Sequence, residues 1–346
     1  MTDALQALLV PMLSLVGCVV VPTLFMKMLV PSLERGRSVL NFRGREVFPG
    51  LGIVWIIWAG CAIITGVGSA ALGTQSVMMM LTLLGPLALV AAALGLIDDA
   101  YGTSADRGFR GHFRALGHGR VTTGMLKLIG IGAASLVVAA ILGQIALWGV
   151  GASILGRVVG TLLAAAAIAF TANLVNLTDL RPGRALKVYL ILVTLGSALV
   201  LRAVFVGFEL GSSDASLAVI FTGSLYLALI GPVLAVWRFD LGERGMLGDA
   251  GANAMGAVAG ALIVIAMPMW TLIIYAIVLL GLNLAAERVS FSVVIERTRV
   301  LRWFDILGRL PEDASGAHNA ESSAGSPSDV GDSRYHLEED HETREV

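Results

Sequence analysis

Val77-Met-Met-Met-Leu-Thr-Leu-Leu-Gly-Pro-Leu-Ala-Leu-Val-Ala-Ala-Ala-Leu-Gly-Leu-Ile97 is an unbroken apolar run, and Asp98-Asp99 follow it directly. A helix that crosses a bilayer needs about 20 predominantly apolar residues, so this run is long enough to span. Ionisable groups at the edge of the hydrocarbon are costly, and by default they mark function. Asn173-Leu-Val-Asn176-Leu-Thr-Asp179 and Gly248-Asp249-Ala-Gly251 likewise stand at the ends of apolar segments. The sequence places all three polar stretches on one face of a membrane.

The rest of the 346-residue chain agrees with this. Hydrophobic residues make up 56% and charged residues 14%, well below the quarter or so usual in soluble domains. Nine runs read as spans: Leu5–Val30, Leu51–Leu72, Val77–Ile97, Met125–Leu147, Ile154–Ala172, Val188–Phe208, Leu217–Val236, Ala252–Met267 and Met269–Ala286. The fold class expected is all-α, a polytopic bundle of nine to ten membrane helices. The runs are continuous, whereas membrane strands alternate, which excludes a barrel reading. No basic region precedes the first run, so it reads as a retained span and not a cleaved signal. Cys18 and Cys61 lie inside apolar runs and read as small buried residues.

Charge divides the chain in two. Residues 313–346 hold nine acids and two bases, a net of −7, and read as a disordered acidic tail. Residues 1–312, the membrane-embedded part, carry a net of +6. Their arginines and lysines crowd the connections after the odd-numbered spans. Arg35, Arg37, Arg43 and Arg45 follow the first; Arg107, Arg110, Arg114 and Arg120 the third; Arg181, Arg184 and Lys187 the fifth. By the positive-inside rule those connections are cytoplasmic and the N-terminus is outside. Asp98, Asp99, Asn176, Asp179 and Asp249 then all fall on the cytoplasmic side. A transporter would place polar groups near the midplane of the bilayer, and these span interiors are nearly free of charge.

Each polar stretch has a chemical and a plainer reading. Adjacent carboxylates beside basic loops suit a magnesium–phosphate site, although they also serve as a hydrophilic stop. Asn173, Asn176 and Asp179 share one helix face and offer hard oxygen donors, or simple helix capping. Gly248-Asp249 opens an apolar helix, whose free N–H groups favour anions. Gly256 and Gly260 form a small-xxx-small packing face. Lys127 is a candidate phosphate contact as well as an ordinary positive-inside anchor. Ile295–Leu310, basic and carrying Trp303 and Phe304, reads as a helix lying on the anionic inner leaflet.

In order and topology the three stretches resemble the polyprenyl-phosphate N-acetylhexosamine-1-phosphate transferase superfamily, which includes phospho-N-acetylmuramoyl-pentapeptide translocase. Leu-Gly-Leu-Ile-Asp98-Asp99 is similar to the family's aspartate pair. Asn173-Leu-Val-Asn176-Leu-Thr-Asp179 is similar to its Asn-rich motif, and Gly248-Asp249-Ala-Gly251 to its Gly-Asp motif. Phe42-Arg-Gly-Arg-Glu-Val-Phe-Pro49-Gly50 resembles its first cytoplasmic loop. The resemblance implies Mg²⁺ held by Asn176 and Asp249, with Asp98 and Asp99 activating or positioning a lipid phosphate. Asn173, Asp179 and Lys127 would then bind substrate. The implied reaction joins polyprenyl phosphate to the sugar phosphate of a UDP-sugar and releases UMP, for cell-envelope glycan synthesis at the cytoplasmic face of the cell membrane. Nucleic acid is not an implied partner; a homodimer is.

The chain also departs from that pattern. Pro182 stands where a second polar residue is usual, and the late His-x-His motif is replaced by Glu287 to Arg299. Arg181, Arg184 and Arg299 are expected to take over part of the diphosphate binding. Two other readings stay open: a catalytically impaired member that binds lipid phosphate or nucleotide, and a transporter or lipid flippase.

Overall fold

Small residues decide which helix lies at the centre. Lipid tails are as apolar as leucine, so membrane helices associate by close van der Waals packing, which Gly and Ala permit. The computed structural model describes residues 3–72, 78–102, 108–207 and 212–310. In it α10 (Gly248–Ile265), rich in Ala and Gly, is buried along nearly its whole length, every residue from Ala250 to Val264. It packs on α4 (Met80–Tyr101), α7 (Ile154–Thr178) and α8 (Arg184–Gly207). On Gly256 a Cβ would lie 2.5 Å from Ala172 Cα, and on Gly95 it would lie 2.5 Å from the Asp249 carbonyl carbon. These contacts bring α7 and α4 against α10 backbone to backbone.

Among the described residues, nine helices are long and apolar enough to cross a membrane. The first combines α1 (Asp3–Ser14), a π-helical turn over Leu15–Val20, and α2 (Val21–Glu34). The others, besides α4, α7, α8 and α10, are α3 (Val54–Ala71), α6 (Thr123–Leu142), α9 (Ser212–Leu241) and α11 (Met269–Ala286). The nine runs read from the sequence coincide with these helices, and Met269–Ala286 matches to the residue. Aromatic groups tie α3, α8 and α9 together. Trp55 stands edge-on to Trp58 and Tyr189 at 5.2 Å, while Trp58 Nε1 and Tyr189 Oη donate to the carbonyls of Ala228 and Leu229.

Three differences from the sequence reading matter. The polar stretches do not follow the helices but lie in their terminal turns. Thus α4 continues through Asp98 and Asp99, α7 runs past Asn173 and Asn176, and α10 begins at Gly248. Backbone hydrogen bonding carries a helix on until a cap or a proline stops it, irrespective of side-chain polarity. A small ribbon is also present: β1 (Val39–Leu40) pairs antiparallel with β2 (Glu46–Pro49), which pairs parallel with β3 (Gly245–Met246). It ties the first basic loop to the start of α10, and the Gly52 N–H donates to the Leu247 carbonyl at 3.1 Å. After α11 the basic stretch forms two short helices, α12 (Phe291–Arg297) and α13 (Arg299–Ile306). Val77, Arg107, Phe208 and the acidic tail from Asp313 lie outside the described residues.

Gly256→Val is expected to destabilise the bundle by about 1–3 kcal/mol through overpacking against α7. Gly281→Ala, where an added Cβ meets open space, is expected to leave stability unchanged or slightly raised. Thermal unfolding of both variants in detergent checks this; equal melting temperatures would contradict the α7–α10 contact.

Candidate functional site

The N-terminus of α10 organises the site. A helix leaves its first N–H groups without intrahelical partners, and inside a bundle these need acceptors. Asp99, from the last turn of α4, supplies them: Oδ1 accepts from the Asp249 N–H at 3.0 Å and Oδ2 from the Ala250 N–H at 3.1 Å. Asp179, just past α7, accepts from the Gly248 N–H. Gly248 has φ +66°, and a Cβ there would meet Asp99 Oδ2 at 2.6 Å, so only glycine fits the junction. The helix start expected to offer free amides to an anion has therefore given its first three to the protein's own carboxylates.

With its start fixed, α10 turns Asp249 toward α6. Lys127, on the second turn of that helix, forms an ion pair with Asp249 and another with Asp98, Nζ to Oδ2, at 2.7 Å. The Thr123 hydroxyl donates to Asp98 Oδ1 at 2.5 Å. Thr122 begins α6 as its N-cap by accepting from the Met125 N–H at 3.1 Å. Residues 98, 127 and 249 thus meet across three helices. The Lys127 ammonium lies between these two acids and is largely buried.

A cleft of about 220 Å³ opens beside Lys127, between α6, α7 and α10. Ile131, Leu128 and Ala169 give it apolar walls, and Asn173, Asn253 and Glu287 supply polar groups. Asn173 donates to Asn283 Oδ1 at 2.6 Å, while Asn283 donates to the carbonyls of Leu279 and Phe170. Asn283 was not among the residues expected from the sequence; its signal is a lone amide inside an apolar span. Asn253, which holds the Asp249 carbonyl at 2.7 Å, was not among them either.

Among the described residues no group of three His, Cys, Asp or Glu side chains converges as a metal cage. Asp98 and Asp249, however, already share one cation, the Lys127 ammonium. Mg²⁺ is commonly held by one or two carboxylates, with water and substrate phosphate completing its shell. This donor pair fits that mode. Asn176 is half-buried on the last turn of α7; its carbonyl accepts from the Asp179 N–H at 3.0 Å, and among the described residues its side chain is not hydrogen-bonded to Asp249.

The expected arginines separate. Arg184 does not face an open site: its guanidinium is buried, bound to Asp305 as a fork at 2.7 and 3.1 Å, and donates to Ser292 at 3.0 Å. Arg309 adds a second ion pair to Asp305 at 2.7 Å. Lys187 donates to the carbonyls of Phe304, Asp305 and Leu307 and so closes the end of α13. Arg181 pairs with Glu296 and lies over the Phe42 ring, on the rim of a small cavity of about 30 Å³ that also touches Asp179, Asp240 and Glu243. Arg299 is exposed at the start of α13. The Asp305 cluster left no sequence signal, because it joins residues some 120 positions apart.

No protein-family model matches the chain, and no curated protein matches it either.

Two acids here titrate in opposite directions. Burial, together with the charges of Asp240, Asp249 and Asp99, pushes the Asp179 carboxyl well above the usual carboxylate range, against the pull of the Gly248 N–H. Burial also opposes the Asp305 charge, but the Arg184 hydrogen bonds and the charges of Arg184, Arg309 and Lys187 outweigh it and hold that carboxyl low. A raised acid loses folding stability as pH climbs from its unfolded value, about 4, through its folded one. Asp179→Asn is therefore expected to raise the melting temperature at neutral and alkaline pH, with the gain vanishing at acid pH. A gain that instead grew on acidification would refute the assignment. Asp305→Ala strands two buried guanidiniums, those of Arg184 and Arg309, and is expected to cost about 3–5 kcal/mol. Asp305→Leu combined with Arg184→Met and Arg309→Met, which leaves no guanidinium stranded, is expected to cost less, and denaturation in detergent compares the two.

Proposed function

We propose that the protein is a membrane phosphotransferase that moves a sugar 1-phosphate, of the N-acetylhexosamine class, from a UDP-sugar to a polyprenyl phosphate. The supporting observation is the meeting of Lys127, Asp98 and Asp249 at the end of an apolar-walled cleft. A phosphate on a long apolar tail suits that shape, with the tail along Leu128 and Ile131 and the head at the ammonium. Both reactants are anions, and transfer between them depends chiefly on positioning and charge stabilisation.

In this reading an oxygen of the lipid phosphate forms a bond to the β-phosphorus of the UDP-sugar. The bond from that phosphorus to the oxygen bridging the α-phosphate breaks, and UMP departs with the electron pair. The sugar stays on the β-phosphate, now part of a lipid diphosphate. Lys127 binds the incoming phosphate and offsets its charge. Thr123 fixes the orientation of Asp98, and Asp98 and Asp249 together would hold Mg²⁺. Bound there, the ion would neutralise charge on the diphosphate. Asp99 acts as a positioning residue: by capping α10 it sets where Asp249 points. Arg181, at the rim beside Phe42, is placed to exchange Glu296 for a substrate phosphate, a fork-shaped interaction that arginine suits. The basic loops around the site support a location on the cytoplasmic face of the cell membrane, by the positive-inside rule.

The test is UMP release from a panel of UDP-sugars with polyprenyl phosphate in detergent, with and without Mg²⁺. Release that requires both lipid and Mg²⁺ is expected. Lys127→Ala and Asp249→Ala are each expected to lower it by about 100-fold or more, the scale for removing one electrostatic group at a reacting phosphate or carbonyl. Absence of UMP across the panel, from protein that still binds the lipid phosphate, would replace this reading with a binding role.

A further inference from the structure

The two helices that follow the last span wear their apolar side chains outward. In α13 the buried side chain is an acid, Asp305, while Val300 is 74% exposed and Trp303 62%. Leu301 and Ile306 of α13 and Val294 of α12 are exposed as well. Arg288, Arg297, Arg299 and Arg302 stand exposed among them. Of the acids in this region, Glu296 is paired with Arg181, Asp305 is enclosed by two arginines, and Glu287, before α12, lines the cleft beside Lys127. The exposed surface is therefore both apolar and basic. Large contiguous apolar patches mark an interaction surface.

Continuity and charge identify what covers it. Only 22% of the α11 span is buried within the protein, and its exposed Trp270, Ile274 and Ile277 mark a lipid-facing helix. Four residues, 287–290, separate the end of α11 from Phe291, so the patch begins where that lipid-facing surface reaches the water. An interfacial helix sinks apolar side chains among the acyl chains and presents arginine to anionic headgroups, as these residues would.

We infer that α12 and α13 form an interfacial foot that binds anionic phospholipid of the adjacent leaflet through Val300, Trp303 and Ile306 flanked by Arg297 and Arg302. The foot is fastened to the protein from its other side. Asp305 binds Arg184, at the start of α8, and Arg309 reaches the Pro182 carbonyl at 3.1 Å. Lipid seated on the outer face therefore loads the same short segment, 179–184, that carries Asp179 and Arg181.

The test needs no enzymatic readout and so stands apart from the transferase reading. Full-length protein is reconstituted in nanodiscs of phosphatidylcholine and phosphatidylglycerol, with bromine carried by one lipid at a time. Tryptophan quenching is compared between wild type and Trp303→Phe. The difference between them, the Trp303 signal, is expected to be quenched, and more strongly by brominated phosphatidylglycerol. Arg297→Gln and Arg302→Gln are each expected to lower that preference by up to about fivefold, the worth of one basic residue at an anionic surface. An unquenched Trp303 signal overturns the inference, as does equal quenching by both lipids. Two other occupants would also overturn it: a second copy, seen as a dimer with Trp303 shielded from lipid, or residues 313–346, seen as quenching that appears only when they are deleted.

Discussion

A helix that begins inside a bundle of apolar helices must find acceptors for its first amides, and this requirement shapes the centre of the molecule. α10 is buried from Ala250 to Val264, and at its N-terminus the protein's own side chains accept from the first amides. Asp99 and Asp179 do so. The amides carry a partial positive charge and offset part of the cost of an ionised acid there, although at Asp179 burial and the neighbouring acids outweigh them. For Asp99 to reach them, α4 must press on α10, and it does so at Gly95, against the backbone of Asp249. Once those two helices are locked, the direction of the Asp249 side chain is fixed and Lys127 becomes its partner. Capping, packing and the ionic group are one arrangement viewed at three scales.

Much of this was legible in the chain. Length and hydropathy gave the nine helices, since membrane spans are the strongest pattern a sequence carries. Asp98, Asp99 and Asp249 were legible because charge beside hydrocarbon needs a reason. What the sequence could not show is which groups satisfy one another. Asp98 and Asp99 are neighbours of identical type, yet one faces an ammonium and the other a pair of amides. A helix turns by about 100° per residue, so adjacent acids cannot share a target. Arg184 and Arg181 likewise sit three residues apart but serve a buried and an exposed partner. The β ribbon stayed hidden because its three strands are two to four residues long and carry no period to read.

The ionic groups fall into two clusters with different physical characters. Around Lys127 the side chains remain partly open, with 15% of the lysine, 18% of Asp98 and 28% of Asp249 exposed. Around Asp305 they are closed, with 3% of Arg184 and 4% of the aspartate exposed. A closed pair whose hydrogen bonds are all made within the protein has nothing left to offer a ligand. It holds the polypeptide in place, and removing one partner is costly because the other stays buried. An open pair can exchange partners. Openness, more than the kind of residue, separates the group suited to chemistry from the group suited to fastening.

That distinction bears on the place of a metal ion. Asp98 and Asp249 aim at one point, and in this structure an ammonium stands there. Two carboxylates facing each other without a cation would repel, so the lysine makes their approach possible before any ligand arrives. A divalent ion entering the same space would compete with that ammonium, and an arriving phosphate would give the displaced lysine a new partner. The two events favour each other: the anion attracts the lysine outward, and the vacated carboxylates then attract the metal ion. Under the proposed function, a site built in this way would have low affinity for either ligand alone and higher affinity for both together. That is the electrostatic condition under which a phosphate and its counter-ion are taken up as a unit.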